Sequence, residues 1–408
     1  MRATVGPAWL VILAGVCAAL HIGKLPPALP VLRDALGVTL VQAGFLLSMV
    51  QVAGMTLGLV LGALADNLGG RRAMLIGLML LSASSALGAA AQSATALLVL
   101  RASEGFGFLL VSLPAPGLLR RYVPVTHLSR MLGFWGAYMP TGTALALLAG
   151  PAVIALAGWS AWWLLLAVLS AGMTAWLAWG LPPDPPRTVT AAGASVNARG
   201  AGRLRRTLSS LGPWLPALGF ATYSGQWLAV IGFLPTIYAQ AGWAGTVAAF
   251  ATAAAAAVNM AGNIGAGRLL HRGIPPPRLM QAGYLAMIVG AAIAFAPWTT
   301  DSGPAVAAAR FGGVLLFSAV GGLVPGTLFS LAVRLAPDES TVSTTVGWMQ
   351  QCSAFGQFAG PPLVAWVAAR AGGWEVAWWV TAAFAACGLV VTWRIARLLA
   401  ASARPVQG

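Results

Sequence analysis

Four ionisable side chains lie in stretches that are otherwise apolar. His21 and Lys24 occur in ALHIGKLPPALP, and Arg101 and Glu104 occur in VLRASEGFG. Each pair is three residues apart, so in a helix both members share one face. A charge placed in hydrocarbon costs at least about 2.5–3.5 kcal/mol, so each needs a partner or a task. Glu104 and His21 are the side chains that could take up and release a proton. Lys24 and Arg101 could hold an anion, and a guanidinium fork suits a planar carboxylate. Arg310 is a third basic candidate in an apolar run, and Gln226 a candidate hydrogen-bonding group. Lys24 is the only lysine in a chain that uses arginine freely.

Each of these residues also has a purely structural reading. Lys24 and Arg101 are long enough to reach outer headgroups, and Arg310, near the start of its run, suits that role as well. Arg101 and Glu104 can form a structural pair that leaves a net positive surrounding. His21 can be a packing histidine, and Gln226 can bridge helices.

The elements that must position these groups are membrane helices. Of 408 residues, 59% are hydrophobic and 8% charged, against about 25% charged in soluble domains. So few charges cannot cover a water-facing surface. Apolar stretches fall near 8–32, 40–64, 73–91, 96–118, 131–156, 161–181, 213–238, 246–267, 278–297, 304–333, 341–368 and 374–393. A span needs about 20 residues. The first stretch continues through His21 and Lys24 to Pro30, which reads as a retained first helix, not a cleaved signal. The net charge of +15 does not point to nucleic acid, because the arginines fall in alternate loops. Arg71, Arg72, Arg120, Arg121, Arg130, Arg268, Arg272, Arg278, Arg334, Arg394, Arg397 and Arg404 lie on one side. The positive-inside rule makes that side cytoplasmic, with both termini on it.

The expected fold class is all-α integral membrane, with twelve transmembrane helices in two pseudo-symmetric six-helix bundles. The bundles are 1–181 and 213–408, joined by a flexible cytoplasmic linker over 182–212, rich in Pro, Ala, Gly and Arg. Repetition supports the halves. Arg101 and Pro116-Gly117 match Arg310 and Pro325-Gly326. Gly133, Gly142 and Gly158-Trp159 match Gly347, Gly356 and Gly373-Trp374. Leu29-Pro30 and Gly37 match Leu234-Pro235 and Gly242. The last match also pairs His21 with Gln226. Parallel six-helix repeats are a known transporter design. Trp159, Trp162, Trp163, Trp374, Trp378 and Trp379 read as anchors at the outer interface.

The loop after the second stretch reads Gly62-Ala-Leu-Ala-Asp66-Asn67-Leu-Gly69-Gly70-Arg71-Arg72. It resembles the signature of the major facilitator superfamily: a glycine, an acid four residues on, then glycine and a basic pair. Arg101-x-x-x-Gly105-x-Gly107 is similar to that superfamily's second motif. The signature departs at Asn67 and Gly70, where basic residues are common. The Pro-rich end of the first stretch and Phe233-Leu234-Pro235 are similar to the cyanate/nitroimidazole permease group. The fifth stretch lacks the Gly-Pro step common in proton-coupled drug exporters.

The resemblance implies a secondary transporter in the inner membrane, monomeric and working by alternating access. The first, fourth, seventh and tenth spans would line its central path. Gly62, Asp66, Gly69, Arg71 and Arg72 would gate the cytoplasmic side. At a rise of about 1.5 Å per residue, Arg101 and Arg310 lie roughly 9 Å, and Lys24 roughly 12 Å, below the outer ends of their spans. The expected substrate is a small anion held by Lys24, Arg101 and Arg310 with His21 and Gln226, moved with protons carried by Glu104 or His21. The alternative is a proton-driven efflux pump for hydrophobic drugs or metabolites. No phosphate-cradling loop, zinc motif or nucleophile elbow occurs in the sequence, and no cofactor is expected. An intramembrane enzyme or a sensor fits less well, since neither clustered catalytic groups nor a soluble domain is present.

Overall fold

The computed structural model describes residues 5–56, 69–124, 131, 134–135, 138–184, 202–299 and 303–402. Among them there are helices and no strand. They form two compact units, 1–186 with 230–257, and 187–229 with 258–408.

In the first unit the helices are α1 (Val5–Gly23), α2 (Leu25–Leu36), α3 (Leu40–Ser48), α4 (Gly70–Ala89), α5 (Ala94–Ser112), α6 (Ala115–Tyr122) and α7 (Tyr138–Gly180). α1 and α2 are one apolar stretch broken at Lys24. Pro26 and Pro27 have no N–H for the carbonyls of Ile22 and Gly23, and their rings crowd the preceding turn. α3 begins at a capping box in which Thr39 and Gln42 exchange side-chain bonds with each other's N–H. It tightens into a 3-10 turn over Met49–Gln51 before helix resumes to residue 56. α7 turns at Gly158, whose φ of 81° a side chain would oppose, into arms 138–157 and 159–180. α1 packs on α7, and α4 packs on both α5 and α7. Their buried faces make one core from Ala8 to Leu181.

The second unit holds most of α8 (Leu211–Gln240) and α9 (Gly245–His271), whose remaining turns, 230–257, group with the first unit. It also holds α10 (Pro276–Phe295), α11 (Pro304–Gly321), α12 (Leu323–Arg334), α13 (Val342–Ala371) and α14 (Ala377–Ser402). α10 packs on α11 and α14, and α12 on α13. Nine helical stretches of the described residues are long and apolar enough to cross a membrane.

Small residues set the helix spacing in the same places in both units. A Cβ on Gly142 of α7 would stand 2.5 Å from the Val16 carbonyl of α1. A Cβ on Gly356 of α13 would press on the Ala221 carbonyl of α8. Gly77 and Gly107 meet backbone to backbone between α4 and α5, as Gly290 and Gly313 do between α10 and α11. Lipid offers no hydrophobic drive to join helices, so close backbone approach must supply the dispersion contacts.

Two expectations need correction. The stretch 182–212 is not uniformly flexible: residues 202–209 are helical, and Arg206 Nη1 pairs with Asp338 Oδ2 at 2.7 Å. Trp162 and Trp163 are not interface anchors, because both are buried inside the first unit. Their rings enter the core because residue 159 resumes helix after the Gly158 turn and aims this face inward.

The close approach at Gly142 yields a stability prediction. Gly142→Val should lower stability in detergent by about 1–3 kcal/mol. Gly172→Val, where a Cβ meets nothing within 4 Å, should leave the melting temperature nearly unchanged. Thermal unfolding of the two variants side by side checks this.

Candidate functional site

The proline-induced break in the first span creates the site. Next to the freed carbonyls, the Arg101 guanidinium reaches across from α5 and donates Nη1 to the His21 carbonyl at 2.7 Å. Its Nε donates to the Leu46 carbonyl of α3 at 3.3 Å. The indole Nε1 of Trp162 donates to the Lys24 carbonyl at 3.0 Å. The kink is thus braced by side chains from α5 and from the second arm of α7.

The side chains of the kink meet around one carboxylate. Glu104 Oε2 accepts from Arg101 Nη1 at 2.5 Å. Glu104 Oε1 accepts from Lys24 Nζ. His21 Nδ1 lies 3.7 Å from the same Oε1. Lys24 Nζ also donates to Ser85 Oγ of α4 at 3.1 Å and stands 4.7 Å from the centre of the Trp163 ring. Ser85 Oγ in turn donates a hydrogen bond to the Trp163 carbonyl at 2.8 Å. On the other side, His21 Nε2 and Ser170 Oγ are 2.8 Å apart, and Ser170 Oγ is 3.6 Å from Cys17 Sγ. None of these four ionisable groups exceeds 1% exposure. Two cations face one anion, and Arg101 Nη2 and His21 Nδ1 have no hydrogen-bond partner.

The sequence thus foresaw the Arg101–Glu104 pair but not its third member. Lys24 neither reaches for headgroups nor stands free for a ligand: its ammonium turns inward onto Glu104. The structural reading of Arg101 as a snorkelling residue fails for the same reason.

A family model described as Major Facilitator Superfamily matches residues 11–354. The chain belongs to the major facilitator superfamily. It is therefore a multi-pass membrane transporter and not an enzyme. Three solved structures share the major facilitator fold with it. The inward-facing, occupied form of a bacterial homologue of the human lysosomal transporter Spinster has a TM-score of 0.77, at 14% identity over 96% of each chain. The unoccupied form has a TM-score of 0.74, at 15% identity over 99% of this chain and 100% of that one. A D-xylose–proton symporter has a TM-score of 0.74, at 14% identity over 97% of each chain. No curated protein matches the chain.

Other expected residues of this major facilitator chain fall elsewhere. Gln226 lies on α8, in the part assigned to the second unit, fully buried. It donates Nε2 to the Thr222 carbonyl at 3.0 Å, while its Oε1 has no partner. Arg310 is half-buried in the second unit. It donates to the Ala294 carbonyl at 2.9 Å and stacks over Trp298. Gly62 and Asp66 lie outside the described residues.

The described part of the major facilitator signature is held by a residue that sequence reading missed. Asp184 accepts from the N–H groups of Arg71 (3.2 Å) and Arg72 (3.1 Å), capping the first turn of α4. Arg121 Nη1 of α6 stands 3.6 Å from the same carboxylate. Arg71 Nη2 donates to the Ala178 carbonyl at 2.6 Å. Gly69 has φ 89°, and a Cβ there would be 2.5 Å from Asp184 Oδ2. The only sequence signal was an acid amid prolines just past the end of a span. Ser85 and Ser170 gave none: small hydroxyls are ordinary in membrane helices.

Removing the Asp184 carboxylate should loosen the start of α4. Asp184→Ala should cost about 1 kcal/mol and speed amide exchange at 70–73. Hydrogen-exchange mass spectrometry reads the effect directly.

The charge cluster should behave as a unit. Glu104→Gln alone leaves two buried cations unpaired and should destabilise by about 3–5 kcal/mol. Adding Lys24→Gln should recover part of that loss. A double-mutant cycle of melting temperatures measures the coupling.

Proposed function

We propose that this chain is a proton-coupled secondary transporter that carries a small monoanion across the inner membrane by alternating access. That architecture would have twelve spans, to which the nine long apolar stretches of the described residues contribute. The two arms of α7, the shorter helix at 40–56 and α13 add to the more apolar stretches. The bundles would be 1–181 and 213–408 with the linker 182–212 between them. The arginine asymmetry puts the linker and both termini in the cytoplasm, and the working form is a monomer.

The observation that carries the reading is the buried excess of positive charge around Glu104, with an unpaired guanidinium donor. Burying each ion costs several kcal/mol, so folding alone does not account for it. The repeat supplies an internal control. At the offset of 205 residues set by Pro30 and Pro235, His21 corresponds to Gln226 and Lys24 to Ala229. At the offset of 209 set by Pro116 and Pro325, Arg101 corresponds to Arg310 and Glu104 to Gly313. The second half builds matching helix contacts without the cluster, so the fold does not need it.

A site with surplus positive charge and a fork-shaped donor suits a small anion. The likeness of the first and seventh spans to the cyanate/nitroimidazole permease group agrees with a small solute. Arg310 and Gln226 would also take part in binding the solute. Gly62, Asp66, Gly69, Arg71 and Arg72 would serve the cytoplasmic gate, with Asp184 holding the described part of it.

Reconstituted liposomes test the reading. Nitrate and lactate should give uptake that Lys24→Ala reduces at least about tenfold, as expected when one member of a buried charge pair is removed. Movement of lipophilic cations alone, indifferent to Lys24→Ala, would replace the anion carrier with the drug-efflux alternative.

A further inference from the structure

One oxygen of the cluster has two claimants. Glu104 Oε1 accepts from Lys24 Nζ, and His21 Nδ1 waits 3.7 Å away without a hydrogen-bond partner. The other oxygen is occupied by Arg101. His21 cannot turn away easily, because Nε2 is tied to Ser170 Oγ at 2.8 Å and the residue is fully buried. A neutral ring that donates Nε2–H to Ser170 leaves a lone pair on Nδ1 facing Glu104. Ser170 Oγ–H then has Cys17 Sγ, at 3.6 Å, as its acceptor.

We propose that Lys24 and His21 take turns on Glu104 Oε1: an anion that draws the Lys24 ammonium off the carboxylate makes room for a protonated His21, so anion and proton bind together. The proposal rests on the anion reading above and names its coupling group. The charge count supports it. Before binding, Lys24 and Arg101 against Glu104 leave one positive charge. After one anion and one proton have entered, the same single positive charge remains. The proton comes from water and adds to the Nδ1 lone pair, forming a charge-assisted N–H to Oε1; no other bond is made or broken. Glu104 stays ionised throughout, because Arg101 keeps Oε2. In so buried a setting, a proton alone would raise the surplus to two positive charges, whereas after an anion has neutralised the site it restores only one, so each ligand raises the affinity for the other.

The groups facing His21 from each packed element bear on its proton. They are Cys17 and Lys24 on its own stretch, Arg101 and Glu104 from α5, and Ser170 from α7. α3 contributes only the Leu46 carbonyl, through Arg101. The second half has Gln226 and Ala229 at the corresponding positions, where no such exchange can occur. Coupling is therefore the work of one half. Ser170 is a positioning residue, since it acts through the imidazole.

The test measures protons and anions together. Purified wild-type protein in weak buffer with a pH indicator receives nitrate or lactate, and proteoliposomes report flux of each ion. Wild type should take up about one proton per anion, the reciprocal linkage of two ligands on one site. His21→Gln should bring that ratio to near zero. Ser170→Ala should keep coupling but move the pH range of transport to the acid side, because the charged ring loses a bond that holds it. A His21→Gln protein that still takes up a proton per anion overturns the proposal and leaves the anion carrier standing. So does wild-type anion uptake without protons. A wild type that binds and moves neither anion sinks the anion reading itself. Should His21→Gln not fold, an unshifted pH range in Ser170→Ala overturns the exchange.

Discussion

The buried cations of the first unit depend on the Glu104 carboxylate. It is the sole acid among two cations and a histidine, all buried to within 1% of full enclosure. A lone lysine or arginine at that depth would not stay charged and unpaired. Glu104 makes both permissible, and each cation then does a second job. Arg101 braces the carbonyls of α1 and α3, and Lys24 engages Ser85 and the Trp163 ring. Five helical elements, α1, α3, α4, α5 and α7, are thereby tied at one point, in a solvent where apolar contact alone gives little selectivity.

The location of that point follows from the prolines. Pro26 and Pro27 break the first span at Lys24, leaving backbone acceptors in the membrane interior. Irregular backbone survives at such depth only where protein groups satisfy it. Arg101 and Trp162 bond the carbonyls on either side of the freed pair, those of His21 and Lys24. The charge cluster and the kink are thus one construction. A break in a spanning helix is also a place where two half-helices can change their mutual angle at little cost, which suits a site that must alternate between states.

At the other end of the unit, Asp184 does on a smaller scale what Glu104 does inside. It closes the first turn of α4 and faces Arg121, so a residue just past the end of α7 holds the start of α4 beside α6.

Much of this was legible in the sequence. Apolar length and low charge dictated membrane helices, because lipid admits little else. The three-residue spacing of Arg101 and Glu104 dictated that they could pair, since helix geometry places them on one face. Of the glycines repeated between the halves, Gly142 and Gly356 stand where helices touch, while Gly158 and Gly373 do not. Only the tertiary structure decided whom Lys24 would meet. Its partners Ser85 and Glu104 lie 61 and 80 residues away, and the Ser170 that holds His21 lies 149 away. Periodicity tells which face of a helix is special but not which helix lies against it. That depends on how the glycine contacts set the neighbours, a property of the assembled bundle and not of any one segment.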